Sequence, residues 1–472
     1  MPIEPSTLVS AAAGDASSHP LLSRRYKTWL VVVLLVVSTF NFADRAVLSV
    51  LAQSIKEDLR FTDADLGMLQ GLGFAILYSI LGLPLGWLAD RVSRKQVIAA
   101  CVAVWSLMSA ACGFAASFTA MLLCRVGVGI GEAGFQAPAF SLLADHFSAN
   151  RRSTILAIMA LGAPLGFLVG QSVGGWVASE WNWRAAFVVL GAPGLIVALI
   201  VWFTLREPPR GLVDGRIETG PPPSFGRVMA ELFSKPSFRH LLIASTVSGF
   251  TYNAVTQFVL PFYLRSFGLP LALVGVVFGI IGFTSNSLGM ILGGLGFDWL
   301  SRRDARWLMW GPGALFLVAM PLYAGAFAST QSQISFTLIW LANFVAASYF
   351  APTFAAVQNL AGPRMRSSAT AMLTVVVGVI GAGFGPTILG VISDHFAAAA
   401  FHHGNFIASC PGGRAPTGAE IGIDAACRSA SSLGLRRGLI WVQVLYIWAA
   451  FHFVRAARTF RQDLYDPASS DG

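Results

Sequence analysis

The sequence predicts an all-α integral membrane protein, with twelve transmembrane helices forming two pseudo-symmetric six-helix bundles. Three observations lead there. The 472 residues are 55% hydrophobic and only 12% charged, where a soluble domain carries about a quarter charged residues. The apolar residues fall in runs of about 20, each long enough to cross a hydrocarbon core of roughly 30 Å as a helix. Blocks of the first half also recur in the second at near-constant spacing. A membrane β-barrel would show segments of about ten residues with alternating polarity, and these runs are longer and continuously apolar.

Residues 1–26 are rich in Ala and Ser and lack the basic start and cleavage pattern of a secretory signal, so they read as a cytoplasmic tail. Six spans follow near 28–52, 65–87, 96–116, 119–142, 153–178 and 185–205, which places a first bundle at 27–205. Residues 206–237 form a linker whose Pro-rich start, "REPPRG", breaks the helix. Its later stretch "FGRVMAELF" has the pattern of a short amphipathic surface helix. Six more spans, near 238–263, 271–295, 306–328, 332–360, 367–394 and 436–456, make a second bundle at 238–460. That bundle carries an extracytoplasmic insert at 395–435, and a second cytoplasmic tail follows at 461–472.

The net charge of +9 reports orientation rather than a nucleic-acid partner. With both termini in the cytoplasm, that side collects 22 of the 32 Lys and Arg and the far side eight, leaving Arg45 and Arg125 inside spans. By the positive-inside rule this predicts a multi-pass protein of the inner (plasma) membrane with both termini cytoplasmic. Of the five cysteines, Cys101, Cys112 and Cys124 lie in spans, where a thiol usually only packs. Cys410 and Cys427 share the external insert, where either a disulfide contributing about 3 kcal/mol or two free thiols is compatible with the sequence.

The repeat is visible in two loops. "GWLADRVSRK" after span 2 matches "GLGFDWLSRR" after span 8 at an offset of 208, pairing Gly86, Asp90 and Arg94 with Gly294, Asp298 and Arg302. "APAFSLLADHFSANRRS" after span 4 matches "APTFAAVQNLAGPRMRS" after span 10 at an offset of 214. A duplicated six-span unit implies two parallel halves with a substrate path between them.

The pattern G-x-x-x-D-R-x-x-R-K at 86–95, with its degenerate second copy, resembles the loop 2/3 signature of the major facilitator superfamily, and the resemblance covers the whole chain. Within that superfamily, "NFADRAVLSV", "CRVGVGIGEAGF", "LREPPRG" and "GAGFGPTILGVISD" resemble the spinster branch, whose members are linked to lysolipid and sphingoid-phosphate export. Similar D-R and R-x-x-x-G-x-G-E-A motifs occur in anion:cation symporters for sugar acids. The resemblance implies the major facilitator fold, alternating access by rocking bundles, and a working monomer. The Gly and Pro runs "GAPLGFLVGQSVGG" in span 5 and "GAGFGPTILG" in span 11 sit at equivalent places and read as packing hinges.

Two groups of residues carry candidate chemistry. At the cytoplasmic face, Gly86, Asp90, Arg91, Arg94 and Lys95, with Asp298 and Arg302 in the second half, form a candidate gate. A carboxylate at a helix end there can bond Arg or a neighbouring helix N-terminus and hold the helices together while the site faces outward. Inside the spans, Asp44, Arg45, Arg125 and Glu132 are ionisable. Each costs at least about 2.5–3.5 kcal/mol at mid-membrane and so must face a cavity or a partner. Arg125 and Glu132 are seven residues apart, which puts them on one face of span 4 about 10.5 Å apart in height. The neighbours Asp44 and Arg45 point roughly 100° apart, so each needs a partner on another helix, with Arg125 and Glu132 the expected ones. A buried carboxylate beside a guanidinium is a proton switch. Asp44 and Glu132 are therefore the candidate proton carriers, and Arg45 and Arg125 the candidate contacts for an anionic head group. The repeat equivalents of Arg125 and Glu132 are Ile339 and Ala346. The second half instead offers neutral groups, Tyr252, Asn253, Gln257 and Asn286, as further substrate contacts.

These features predict a secondary transporter, driven by protons, for an amphipathic anionic or zwitterionic lipid-like substrate. The alternatives are a proton-coupled carrier of small organic anions such as sugar acids, or a drug/proton antiporter. An enzyme would need a nucleophile and base at one depth, and an ATP-driven pump a Walker loop; neither pattern is present. No cofactor, metal or nucleic acid is expected; the bilayer, the substrate and protons are the partners.

Overall fold

The computed structural model describes residues 23–89, 91–147, 149–208, 225–362 and 365–465. Asp90 lies outside them, and of Gly86 only its place in the helix is described. The described residues are helical almost throughout. Spans 1 to 6 are Arg24–Leu59, Asp63–Gln70 continued by Leu72–Ala89, Arg94–Cys112, Phe118–Ala133 continued by Gln136–Ala144, Ala149–Ala160 continued by Gly162–Glu180, and Trp183–Thr204. The surface helix Phe225–Ser234 leads into span 7, Pro236–Phe267. Spans 8 to 10 are Leu271–Ser301, Trp307–Ala328, and Ser332–Ala347 continued by Phe350–Leu360. Span 11 runs Arg366–Val376, through a π-helical stretch Val377–Phe384, to Gly385–Ala400; span 12 is Ile423–Val442 continued by Leu445–Asp463.

Eleven of these are apolar enough to cross a membrane by length and composition. Span 7, with 32 residues, is long enough; its Ser, Thr, Asn and Gln lower its hydropathy, and those residues matter below. The helices also overrun the apolar cores from which they are legible. Span 11 continues to Ala400 and span 12 begins at Ile423, so the segment between them is 401–422, shorter than the 395–435 expected. Amphipathic helix continues past the hydrocarbon boundary, where an apolar run no longer marks it.

Packing repeats between the halves. Span 1 lies on span 5 and span 7 on span 11; spans 3 and 6 pair as do 9 and 12, and spans 2 and 4 as do 8 and 10. The glycine runs make this possible. A Cβ at Gly166 would lie 2.6 Å from the Thr39 carbonyl oxygen of span 1, and one at Gly385 2.5 Å from the Phe250 carbonyl oxygen of span 7. Between the halves, span 5 meets span 8, span 2 meets span 11, and span 1 meets span 7.

These cross-half contacts are concentrated toward the face that carries 401–422, called here the insert face. Toward the middle of the molecule they include Ser79 against Gly378 and Leu168 against Gly279. The molecule is thus closed at the insert face.

The insert is anchored. Cys410 and Cys427 are bonded, with Cα atoms 5.5 Å apart, and Arg414 pairs with Glu57 of span 1 at 3.0 Å. Reduction with a membrane-permeant phosphine should raise the mass by two hydrogens and lower the thermal midpoint, a 17-residue separation corresponding to about 3 kcal/mol of loop closure. An unchanged mass would refute the bridge.

Candidate functional site

Span 1 brings Asp44 and Arg45 to the middle of the first half, where spans 3 and 4 supply their partners. Arg45 Nε donates to Glu132 Oε2 at 2.7 Å; the Arg45 side chain is 23% exposed and that of Glu132 is fully buried. Rings of Phe42, Phe74 and Tyr78 surround the guanidinium at 5.1, 4.8 and 4.7 Å. That cage holds the cation where water is scarce, each ring contributing on the order of 1 kcal/mol. The cross-helix partner expected for Arg45 is therefore present.

Asp44 differs from expectation. Its closest partner is Ser109 of span 3, whose hydroxyl donates to Asp44 Oδ1 at 2.5 Å. Arg125 acts on Asp44 only through space. The reason is the angle already read from the helix: rotating Arg45 toward span 4 turns Asp44 toward span 3. Arg125 is 2% exposed, and its Nε and Nη1 have no hydrogen-bond partner among the described residues, nor does Glu132 Oε1. Phe74 lies 5.5 Å from its guanidinium. A buried guanidinium with open donors is costly unless something anionic or water fills the gap.

The second half supplies the neutral wall. Tyr252, Thr256, Asn286 and Asn343 line a central cavity with Gln171 of span 5, and Ile339, the repeat equivalent of Arg125, lines it too. The cavity is about 40 Å³, enough for water-sized molecules only. Among the described residues, Asn286 Oδ1 and Gln171 Oε1 are buried without hydrogen-bond partners, as is Gln257 Oε1, although Gln257 is not in the lining. Asn253 donates to the Gly249 carbonyl oxygen of its own helix at 2.8 Å and also stands outside the lining.

At the linker face, Arg94 is buried and tied within its own half, to Asp145 at 2.5 Å, Glu207 at 2.6 Å and the Ser141 hydroxyl at 2.9 Å. Lys95 Nζ reaches the Trp202 carbonyl oxygen at 3.4 Å, and Arg91 is exposed. Asp298 and Arg302 are exposed, with no ion-pair partner among the described residues. The second half builds its staple from Asp304 instead, which binds Arg306 and Arg461, each at 2.9 Å. The hydrogen-bonded Arg306 holds Asp304 down to about 2, so this staple stays charged at physiological pH. The acid and the base have exchanged places: Arg94 at the start of span 3 meets Glu207 after span 6, and Asp304 of loop 8/9 meets Arg461 in the last turn of span 12.

The insert face carries a cluster that the sequence did not single out. Asp63, at the start of span 2, accepts both Arg265 Nη atoms at 2.7 Å, Lys56 Nζ at 2.7 Å and the Ser393 hydroxyl at 2.6 Å. Asp394 of span 11 accepts the Asp63 and Ala64 amides at 3.1 and 2.8 Å, capping the N-terminus of span 2 from the other half. Arg265 Nε completes the tie at Gln53 Oε1, 2.6 Å. The signal was available in "GVISD", which ends on Asp394, and in Lys56 and Asp63 flanking a turn; each sits just past an apolar run and reads there as an ordinary boundary charge.

Two six-helix halves, closed on one face around a polar central path, define a membrane transporter rather than an enzyme. A model of the Major Facilitator Superfamily matches residues 34–386. An MFS-type efflux pump of Mycolicibacterium smegmatis is 33% identical, over 78% of this chain and 85% of that protein. Protein spinster homolog 1 of Mus musculus is 30% identical, over 79% of this chain and 74% of that one. The crystal structure of a bacterial homologue of the human lysosomal transporter spinster, inward-facing and unoccupied, superposes with a TM-score of 0.88 at 31% identity, covering 94% of this chain and all of that one. The chain belongs to the major facilitator superfamily, in its spinster-like branch.

Proposed function

We propose that this transporter is a proton-coupled secondary carrier that moves an amphipathic, anionic or zwitterionic lipid-like substrate by rocking its two halves. The observation that carries this reading is the buried Arg125, whose open guanidinium nitrogens share the first half with the Arg45–Glu132 pair and with Asp44. Glu132 and Asp44 carry the proton; Arg45 and Arg125 take the head group's phosphate or carboxylate, which Arg grips bidentately. A substrate that draws Arg45 from Glu132 leaves a buried carboxylate without its counter-charge, and that carboxylate then takes up a proton. The neutral wall of spans 7, 8 and 10 binds without changing charge, so coupling resides in the first half.

The linker face is the cytoplasmic one, in the inner membrane, supported by the 22 basic residues on that side. The loop 2/3 charges, with the Arg94 side chain and the Lys95 main-chain amide pre-positioned on the Glu207 carboxylate, close that face in the opposite state. A working monomer suffices, because the path lies within one chain.

A small organic anion, such as a sugar acid, is the second reading, and export of a drug against protons is a third. The arginine pair suits any carboxylate, and the M. smegmatis relative is named an efflux pump. A thermal-shift screen of lysolipids, sphingoid phosphates and hexuronates, followed by uptake of each hit into proteoliposomes under an imposed pH gradient, separates them. Gradient-driven movement of a lysolipid or sphingoid phosphate is expected. Hexuronate as the sole transported hit would replace the lipid reading by the second one.

A further inference from the structure

Away from the central path, spans 7, 11 and 12 enclose a second recess. In its insert-face half, span 11 packs tightly on span 12, where a Cβ at Gly434 would lie 2.5 Å from the Ser393 carbonyl oxygen. In the linker-face half the two helices part, at the point where span 11 enters its π-helical stretch, a feature frequent at functional sites. The wedge left between them is floored by Ile243, Val247 and Phe250 of span 7 and walled by Ile380 of span 11 and by Leu445 and Trp448 of span 12. Its volume is about 460 Å³, within the range of ligand sites, roughly 300–1,000 Å³. The hydroxyl in its lining, Thr246, is already bonded to the Leu242 carbonyl oxygen at 2.7 Å. The recess therefore offers an apolar channel, and one whose walls are exposed on the outside of the bundle.

The mouth of this channel is basic. Span 7 enters from the linker face and span 12 returns to it, so the residues just beyond the groove on both helices are His240 with Arg239, and His452 with Arg455. His240 Nδ1 and His452 Nδ1 lie 2.9 Å apart. The His452 ring meets Trp448, a wall of the groove, at 6.0 Å. Arg239 and Arg455 are the positive charges that bear on His240. Both are exposed, and neither side chain has a hydrogen-bond or ion-pair partner among the described residues. Asp463 of span 12 accepts the Ser237 amide at 2.9 Å, and Asp304 of loop 8/9 pairs with Arg306 and Arg461. Two arginines and a hydrogen-bonded histidine pair, in which one ring accepts the other's Nδ1–H, thus flank the place where an apolar groove reaches the membrane surface.

We propose that this groove binds an anionic phospholipid of the linker-face leaflet, with one acyl chain in the wedge between spans 11 and 12 and the phosphate on Arg239, Arg455 and the His240–His452 pair. Basic pockets between membrane helices bind anionic head groups by this combination of charge and apolar contact. The lipid is a resident of the bilayer, distinct from the transported substrate, because the groove lies on the outside of the second half and Arg45 and Arg125 lie inside the first. Its chain fills the space created where span 11 turns away from span 12, so occupancy favours the arrangement of these helices in which that space exists.

The full-length protein in detergent, supplied with dioleoyl phosphatidylglycerol or dioleoyl phosphatidylcholine, tests this by native mass spectrometry. Retention of phosphatidylglycerol over phosphatidylcholine is expected. Replacing Arg239→Gln and Arg455→Gln together should weaken that retention on the order of 30-fold, about fivefold per arginine. Both positions are exposed, so folding should survive, and an unchanged thermal midpoint in lipid-free detergent verifies it. Thr246→Trp, which plugs the groove while leaving the basic mouth intact, should also reduce retention. Glycerol 3-phosphate, a head group without chains, should not compete. Equal retention of the two lipids, or equal retention by wild type and the arginine double variant, would overturn the proposal. Competition by glycerol 3-phosphate would do so too, since it would reveal a phosphate site without a lipid groove.

Discussion

Replacing Arg265 by alanine is expected to open the insert face. In the closed arrangement Asp63 is buried, and Arg265 supplies two of its hydrogen bonds across the halves. Without Arg265, Lys56 is left as the cation bonded to Asp63, itself 1% exposed, with the Asp394 carboxylate held beside it on the Asp63 amide. Breaking a buried pair by removing one partner costs about 3–5 kcal/mol. Opening relieves that cost by returning the acids to water, so the equilibrium should move toward the open insert face by roughly a hundredfold or more. Spin labels at the exposed positions Glu180 and His402, in opposite halves of that face, should report a longer distance in Arg265→Ala than in wild type. Identical distance distributions would mean that the cluster is not a gate.

The second large effect is expected at the buried carboxylates. Glu132→Gln keeps an oxygen to accept from Arg45 Nε, and Asp44→Asn keeps one for the Ser109 hydroxyl, so each variant preserves the geometry while removing a titratable group. In proteoliposomes each should lose accumulation driven by a pH gradient, the internal concentration falling to the external one, while exchange of labelled for unlabelled substrate continues. Exchange needs only the conformational cycle, whereas accumulation needs a proton carried through it. If both variants still accumulate substrate in proportion to the pH gradient, the proton is carried elsewhere.

The candidate site was legible in part because burying a charge is rare. Asp44, Arg45, Arg125 and Glu132 stand out in any apolar run, and helical geometry dictated that Asp44 and Arg45 could not form a same-face pair and needed partners on other helices. The identity of those partners was not legible. Ser109 is one serine among many in the spans, and Phe74 and Tyr78 are two aromatics among 43 Phe and Tyr. Only the crossing of spans 2 and 3 against span 1 selects them. The insert-face gate was hidden for the opposite reason: Lys56, Asp63, Arg265 and Asp394 occupy span ends, where charges are ordinary, and they become a cluster only when the halves close over them.

The sequence by itself determined the class of protein, the number of spans, the duplication and the residues that had to be paired. Membrane burial makes each of these a local matter: an apolar run must be a helix, because lipid offers no partner to an open backbone, and a charge inside it must have a reason. Tertiary structure alone decided which face is closed, which carboxylates meet which bases, and that the loop 2/3 staple is mirrored by Asp304 and Arg461 rather than by Asp298. These depend on contacts between residues far apart in the chain, such as Asp63 with Arg265 and Asp394, which only packing the two halves together brings within hydrogen-bond distance.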